Sequence, residues 1–309
     1  KKPCYKIIIS RLLTLYKLIK YTYKLHLIYK KNTPDYVYSV WIGGMISWPL
    51  KYIYKFKMVY SYMDSGFSSL DTFWKHPLKC ERLPLKNADI IDFLSEGLYD
   101  EIKNRITLKK KTKISITPCS FKNYDKIIPG DKNTFIISFS SRLTPIKNPI
   151  LFLQSIKEFN TLYVNPKAVL FQVMGDGVCM PEMKKYIVDE NLQNVQLLGH
   201  VSKPVEYLKN SSVFVSIQQT NNYPSQSLLE AMACENAIVA SDVGETRKLV
   251  TEKEGFLVEL HPLKIALAMA NLLDNKEKME MMGKRARGKV LNEHNINRYM
   301  EYFYSLENL

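Results

Sequence analysis

The second half of the chain has one repeating rhythm, and that rhythm narrows the fold more than any other feature. From about residue 130, short apolar runs rich in β-branched and aromatic residues alternate with helical segments. Residues 135–139, 168–174, 195–198, 213–217, 237–240 and 255–258 read as buried strands. Residues 149–162, 181–190, 204–210, 226–234 and 246–251 read as the helices between them. Pro149, Pro181 and Pro204 stand just inside helix starts, where a missing N–H costs least, and Gly175 and Gly199 close strands. Strands apolar along their whole length, each followed by a helix, predict an α/β fold whose parallel sheet is covered on both faces.

The first half repeats the rhythm with less contrast. Strands are expected over 36–42, 58–63, 88–94 and 113–117, with helical segments such as 97–106 between them. A long helix near residues 5–30 precedes them all. A doubly wound domain ordinarily opens with a strand and a Gly-rich turn, so the first domain is expected to be incomplete. The chain begins Lys-Lys-Pro with no initiator Met, as a fragment or processed product would. The expected organisation is a first domain over 1–125 and a second over 126–292, with residues 119–132 around Pro129-Gly130 as the linker. A last helix over 293–309 is expected to pack back on the first domain. Trp41-Ile42-Gly43-Gly44 reads as a turn.

With 309 residues, two domains are the natural expectation. The net charge of +14 is unevenly divided between them. Residues 1–125 hold 23 basic and 10 acidic side chains, against 21 and 20 in the remainder. The first 60 residues carry 12 basic groups against Asp35 alone. A basic half joined to a neutral half points to a nucleic acid or an anionic membrane on one side only. No RNP, zinc-finger or KH signature supports nucleic acid. On a helical wheel Lys6, Ser10, Lys17, Lys20 and Lys24 fall within about 80° of one another. That stripe is either the solvated side of a packed helix or a face turned to anionic headgroups. No stretch of 18 residues is both apolar and uncharged, and no signal-peptide pattern is present. Five scattered cysteines, none in CxxC spacing, fit reduced thiols in a cytosol. The expected location is therefore cytoplasmic, peripheral at the inner face of the cytoplasmic membrane.

Three blocks in the second half carry chemistry. The first runs Arg142-Leu143-Thr144-Pro145-Ile146-Lys147, just after a strand. The second is Gly175-Asp176-Gly177. The third is Asn222-Tyr223-Pro224-Ser225-Gln226-Ser227-Leu228-Leu229-Glu230, followed by Asp242-Val243-Gly244-Glu245. In order and spacing they resemble the retaining glycosyltransferases of family 4, which have the GT-B fold of two facing Rossmann-like domains. The resemblance runs from about Tyr36 to the C-terminus and is strongest over 135–260. It implies transfer of a sugar from a nucleotide diphosphate to a glycan or polyprenyl-diphosphate-linked acceptor, in surface polysaccharide synthesis.

The residue types suit that chemistry. Breaking the donor's glycosidic bond leaves added negative charge on a diphosphate. Arg142 and Lys147 follow a strand end, where a forked guanidinium and a point ammonium can stabilise that charge. Pro224-Ser225-Gln226-Ser227 opens a helix whose free N–H groups suit an anion, and Leu228 is counted with Ser225, Gln226 and Ser227 among the donor-binding residues. By resemblance, Arg142 and Lys147 match the diphosphate-binding pair, and Glu230 hydrogen-bonds the ribose. Asn222 stands where the family carries a second acid beside the donor sugar; an amide there donates and accepts without charge. Gly175, Asp176 and Gly177 are expected beside the nucleotide, or in an ordinary tight turn. His200 and Val201, after the next strand, are expected near the base.

Asp64 and Gly66 follow a first-domain strand on the acceptor side. They are acceptor-side candidates or simply a strand-to-loop turn, and Met63 occupies the place where family members often carry a His. No Asp-x-Asp motif is present, so no metal and no other cofactor is expected. The absence of GxxxxGK[ST] excludes a P-loop enzyme. Two other readings fit the sequence: a sugar-nucleotide epimerase on the same scaffold, and a non-catalytic binding or scaffold protein.

Overall fold

A computed structural model describes residues 4–63, 82–120, 122–162 and 169–308. The expected acceptor-side residues Asp64 and Gly66 lie outside them. The chain divides into two compact units, one of Lys1–Pro118 with Tyr299–Leu309 and one of Cys119–Arg298.

The first unit begins with α1 (Cys4–Lys31), then β1 (Tyr36–Val40), α2 (Ile42–Tyr54), β2 (Lys57–Tyr62), α3 (Arg82–Asn87), β3 (Ile90–Phe93), α4 (Glu96–Lys103) and β4 (Lys113–Ile116). The strands form a parallel sheet in the order β1-β2-β3-β4. Alternation along β2 covers both faces. Met58, Tyr60 and Tyr62 enter a core with Leu50, Phe93 and Leu98, while Val59 joins Ile90 and Leu306 on the other side. Leu306 follows α12 (Ile296–Ser305), so the chain's last residues close the face opposite α2. Beneath that helix Asp92 is 1% exposed and accepts hydrogen bonds from Tyr302 (2.5 Å), Tyr38 (2.7 Å) and Thr117 (2.9 Å). Burial pushes its carboxyl pKa up, outweighing the hydroxyls that favour the anion.

One expectation fails here. Ile42 and Gly43-Gly44 open α2 and are neither strand nor turn. The reason is close approach: a Cβ on Gly44 would lie 2.3 Å from the Tyr60 ring. The glycine lets the helix settle on β2, and Pro49 is carried inside the helix.

The second unit runs β5 (Phe135–Ser140), α5 (Pro149–Leu162), β6 (Val169–Met174), α6 (Met180–Asp189), β7 (Val195–Gly199), α7 (Val205–Leu208), β8 (Val213–Ser216), α8 (Gln226–Ala233), β9 (Ala237–Ser241), α9 (Thr246–Leu249), β10 (Gly255–Val258), α10 (Pro262–Asp274) and α11 (Lys276–Glu293). All six strands are parallel, in the order β10-β9-β8-β5-β6-β7. Val213 and Val215 face one core and Phe214 the other; Ala237 and Val239 likewise oppose Ile238 and Ala240. One core holds α5 and α10, the other α8 and α11.

Residues 119–125 belong to this unit and not to the first. The Ser120 N–H donates to His294 Nδ1 (3.2 Å), and Gln226 Nε2 donates to Ser120 Oγ (2.7 Å). The final segment likewise passes to the first unit at Tyr299, later than residue 293. Among the described residues, no helix is long and apolar enough to cross a membrane. Cys119, Cys179 and Cys234 are buried and free.

Candidate active site

The second sheet reverses direction once. From β5 the chain moves outward through β6 and β7, then crosses to the other side of β5 and moves outward through β8, β9 and β10. At such a reversal the connections after neighbouring strands diverge, and their carboxyl ends frame a crevice. A cavity of about 730 Å³ occupies that place. Its walls come from the segments after β5, β6, β7 and β8 and from the start of α8.

Two backbones form one wall by pressing together. Ser141 N–H donates to Met174 O (3.1 Å), Leu143 N–H to Asp176 O (2.9 Å), and Cys179 N–H to Leu143 O (3.1 Å). This leaves no room for side chains between the loops. A Cβ at Gly175, where φ is +136°, would stand 1.8 Å from Ser141 O, and one at Gly177 would stand 2.4 Å from Leu143 O. Gly175 and Asp176 line the cavity, while Gly177 does not. Its place in the site is indirect: it lets the Arg142 loop lie down. Asp176 turns its carboxylate back to the Gly177 N–H at 2.7 Å.

Arg142 is exposed and lines the cavity; its carbonyl accepts from Thr144 N–H (2.8 Å), while its guanidinium has no hydrogen bond or ion pair with another described residue. Lys147 ends a short turn over Pro145–Lys147, closed by Asn148 at φ +53°. Its Nζ donates to Gln218 Oε1 at 2.8 Å. Burial pushes the Lys147 pKa down, and the neighbouring Arg142 guanidinium pushes it further. Two cations thus line one cavity, and neither is ion-paired with a described residue. A bound diphosphate, as an opposite charge beside both cations, would offset the two effects.

The opposite wall is the start of α8. Asn222, Pro224, Ser225, Gln226 and Ser227 all line the cavity, and the Tyr223–Pro224 peptide is cis. Ser225 occupies the N-cap, but its side chain makes no capping bond. The first-turn N–H groups therefore lack a side-chain cap and suit an anion. Leu228 does not line the cavity: it is 1% exposed and packs in the core with Phe214. Glu230 does reach the cavity and is ion-paired with Lys122. His200 and Val201 line the wall beyond β7.

Two participants escaped the sequence reading. Gln218 lies directly after an expected strand end, a position that could have marked it. Lys122 could not have been found, because its partner Glu230 is 108 residues away. Among the described residues, no group of three or more His, Cys, Asp or Glu side chains could hold a metal ion.

Fold and pocket together define a class: two parallel-sheet α/β units of the GT-B kind, one with a crevice at its sheet reversal lined by Arg142 and Lys147. Solved structures support the fold. Anabaena HepE in complex with UDP and glucose aligns with a TM-score of 0.78 at 15% identity, covering 94% of this chain and 81% of that one. Sucrose-phosphate synthase from Thermosynechococcus elongatus aligns at 0.76 and 16%, covering 94% and 77%. The chain belongs to the family Glycosyl transferases group 1, whose model matches residues 120–289.

Relatives include the Escherichia coli UDP-Gal:alpha-D-GlcNAc-diphosphoundecaprenol alpha-1,3-galactosyltransferase, 32% identical over 176 residues, 56% of this chain and 45% of that protein. The Staphylococcus aureus capsular polysaccharide biosynthesis glycosyltransferase CapM is 26% identical over 187 residues, 60% and 48% of the two chains. An N-acetylgalactosaminyltransferase of Campylobacter jejuni, named for a diphospho-undecaprenol-linked substrate, is 29% identical over 206 residues, 64% and 53%. The chain spans about half the length of the curated relatives it matches.

Proposed function

We propose that this chain transfers a sugar from a nucleoside diphosphate donor to a hydroxyl of a glycan or polyprenyl-diphosphate-linked acceptor, in surface polysaccharide synthesis. The observation that carries the reading is the uncompensated pair Arg142 and Lys147 opposite the α8 N-terminus in one cavity. Family membership supplies the reaction class, and the lipid-linked substrates named for two relatives supply the acceptor class.

In this mechanism the diphosphate lies between Arg142, Lys147 and the first turn of α8. As the glycosidic bond breaks, charge builds on the leaving phosphate, and both cations stabilise it more strongly than in the ground state. The acceptor hydroxyl attacks from the face the phosphate leaves, so anomeric configuration is retained. The leaving phosphate takes the acceptor's proton, and no protein base is needed. Glu230 accepts hydrogen bonds from the ribose, His200 and Val201 border the base, and Asn222 contacts the donor sugar. The positive charge that a divalent cation would bring is already provided by Arg142 and Lys147, so the reaction is metal-independent, as in family 4. The basic first unit holds the chain peripherally at the inner face of the cytoplasmic membrane, where such acceptors are anchored.

The test uses a panel of nucleoside diphosphate sugars with a short-chain lipid-linked acceptor. Arg142→Ala and Lys147→Ala should each lower kcat by about a hundredfold or more. Near-normal turnover in both variants removes the site assignment, and retained activity after exhaustive chelation is required by the metal-free reading.

A further inference from the structure

The first unit turns one side of α1 outward. Its inward seam is well anchored: Leu18 packs with Met45, Leu25 and Tyr29 pack against the sheet core, and Tyr54 donates its hydroxyl to His26 O at 3.0 Å. Beside that seam Ile8, Leu12, Tyr16, Ile19, Tyr23 and Leu27 are 43–61% exposed. At 100° per residue they fall within about 100° of one another, a row roughly 28 Å long. Lys17, Lys20, Lys24 and Lys31 lie in the adjoining arc of about 60°, together with Leu13, which is 55% exposed. Ile19 and Tyr23 also form one wall of an apolar groove whose other wall is Met45, Trp48 and Ile53. Singly exposed apolar side chains need no explanation, but a contiguous row bordered by one sign of charge does.

We infer that this face enters an anionic bilayer, with the apolar row among the acyl chains and the lysine row along the lipid phosphates. The inference rests on the lipid-linked acceptor reading and adds to it the element and the mode: insertion of α1, where charge alone would give only surface attraction. The geometry is that of an interfacial helix, with a broad apolar side and lysines whose stems reach sideways to headgroup level. Charge chooses this occupant over a second copy. An antiparallel two-fold pairing of the same faces would bring two lysine rows together, and a parallel one would still set two copies of a region with 12 basic groups and one acid over its first 60 residues side by side.

The experiment is co-sedimentation of the 309-residue chain with vesicles of phosphatidylcholine alone or mixed with phosphatidylglycerol, at low and high salt. Two variants accompany it, Leu12→Gln/Tyr16→Gln/Tyr23→Gln/Leu27→Gln and Lys17→Gln/Lys20→Gln/Lys24→Gln. All seven substitutions put a good helix former at an exposed position, so folding is preserved, and nucleotide binding serves as the check. The parent should prefer anionic vesicles and keep part of its binding at high salt. The lysine variant should lose about fivefold per lysine, about a hundredfold in all, on anionic vesicles. The apolar variant should keep low-salt binding to anionic vesicles and lose the salt-resistant part. An apolar variant that matches the parent at high salt overturns insertion while leaving electrostatic attraction intact. A parent that binds neither vesicle overturns the inference outright. So does a parent dimer that the apolar variant turns into a monomer, which places a second copy on this face. Vesicle binding by a chain that turns over no nucleotide sugar would leave this inference standing and remove the proposed function, so the two fail separately.

Discussion

Among the described residues, α1 alone exposes ten large apolar side chains, as many as the whole of Cys119–Arg298. In the second unit they are spread over loops and the outer faces of several helices, with Leu260, Leu263 and Leu267 grouped around the start of α10. On α1 they are gathered along one element. The second unit encloses its apolar surface in two cores, one on each face of a six-stranded sheet, and concentrates its distinctive polarity in one crevice. The first unit also has a closed core, but carries its distinctive chemistry on the outside, as charge and apolar area. A unit that must stabilise a particular transition state needs a few charges fixed to within a fraction of an ångström. A unit that must adhere to an extended fluid surface needs many side chains and little precision.

The contrast is tested most severely at Arg142 and Lys147. Their alanine variants should cost about a hundredfold or more in kcat, measured with saturating donor, while vesicle binding stays at the parent level. Loss of both together would mean that chemistry and adhesion are not divided between the units.

Next in size is the response to acid, which should differ in sign between the units. His294 is buried in the second unit and accepts a hydrogen bond from Ser120 N–H. Burial, then Arg298 and Lys289, push its pKa down from 6.5 to about 4. The unfolded chain therefore takes up this proton first, and stability falls as pH drops from 6.5 towards 4, by at most about 3 kcal/mol. Asp92 in the first unit has its pKa raised above 3.8. There the folded form binds the proton first, so its contribution is largest below 3.8 and is lost as pH rises through the raised value. Hydrogen exchange at pH 7 and pH 5 should show the second unit loosening relative to the first. His294→Asn, which can still accept from Ser120, should flatten that change; an unaltered pH dependence assigns it to other groups.

Tyr302→Phe removes one of the three hydroxyls on Asp92. A hydrogen bond to a buried carboxylate is worth about 2 kcal/mol, so the urea midpoint of the first unit should fall while donor turnover in solution is unchanged. The smallest effect is expected at Lys122. Its side chain is 39% exposed, so its pairing with Glu230 contributes under about 1 kcal/mol. Lys122→Gln should free the carboxylate for the ribose and lower the donor KM by up to about fivefold, with kcat constant. A rise in KM would mean instead that Lys122 holds Glu230 in place.

Much of this molecule was legible in its sequence, and the illegible parts share a cause. The expected strands of the second unit recur within one or two residues of their expected ends, because runs such as 213–217 and 237–240 are apolar on both faces and bounded by turn residues. The cavity residues Arg142, Lys147, Gly175, Asp176 and Glu230 sit together because each follows a strand end or opens a helix, features written locally. What failed depends on distant partners. Gly43-Gly44 reads as a turn because glycine ordinarily punctuates, and only the Tyr60 ring explains why it starts a helix. The lysine stripe of α1 is legible as charge, whereas packing on α2 decides that the neighbouring apolar arc is also left open.

The return of the chain to the first unit at Tyr299 has a consequence for biosynthesis. Domains are ordinarily completed in the order in which they leave the ribosome. Here the order is inverted: the second unit has all its residues once Arg298 has emerged, while the first still lacks Tyr302 and Leu306. Until those residues arrive, Asp92 has two of its three hydroxyls and Val59 and Ile90 lack their cover. The half of the molecule that is synthesised first is therefore also the half that needs the later residues, so its sheet face can close only after the residues of the donor unit have been made.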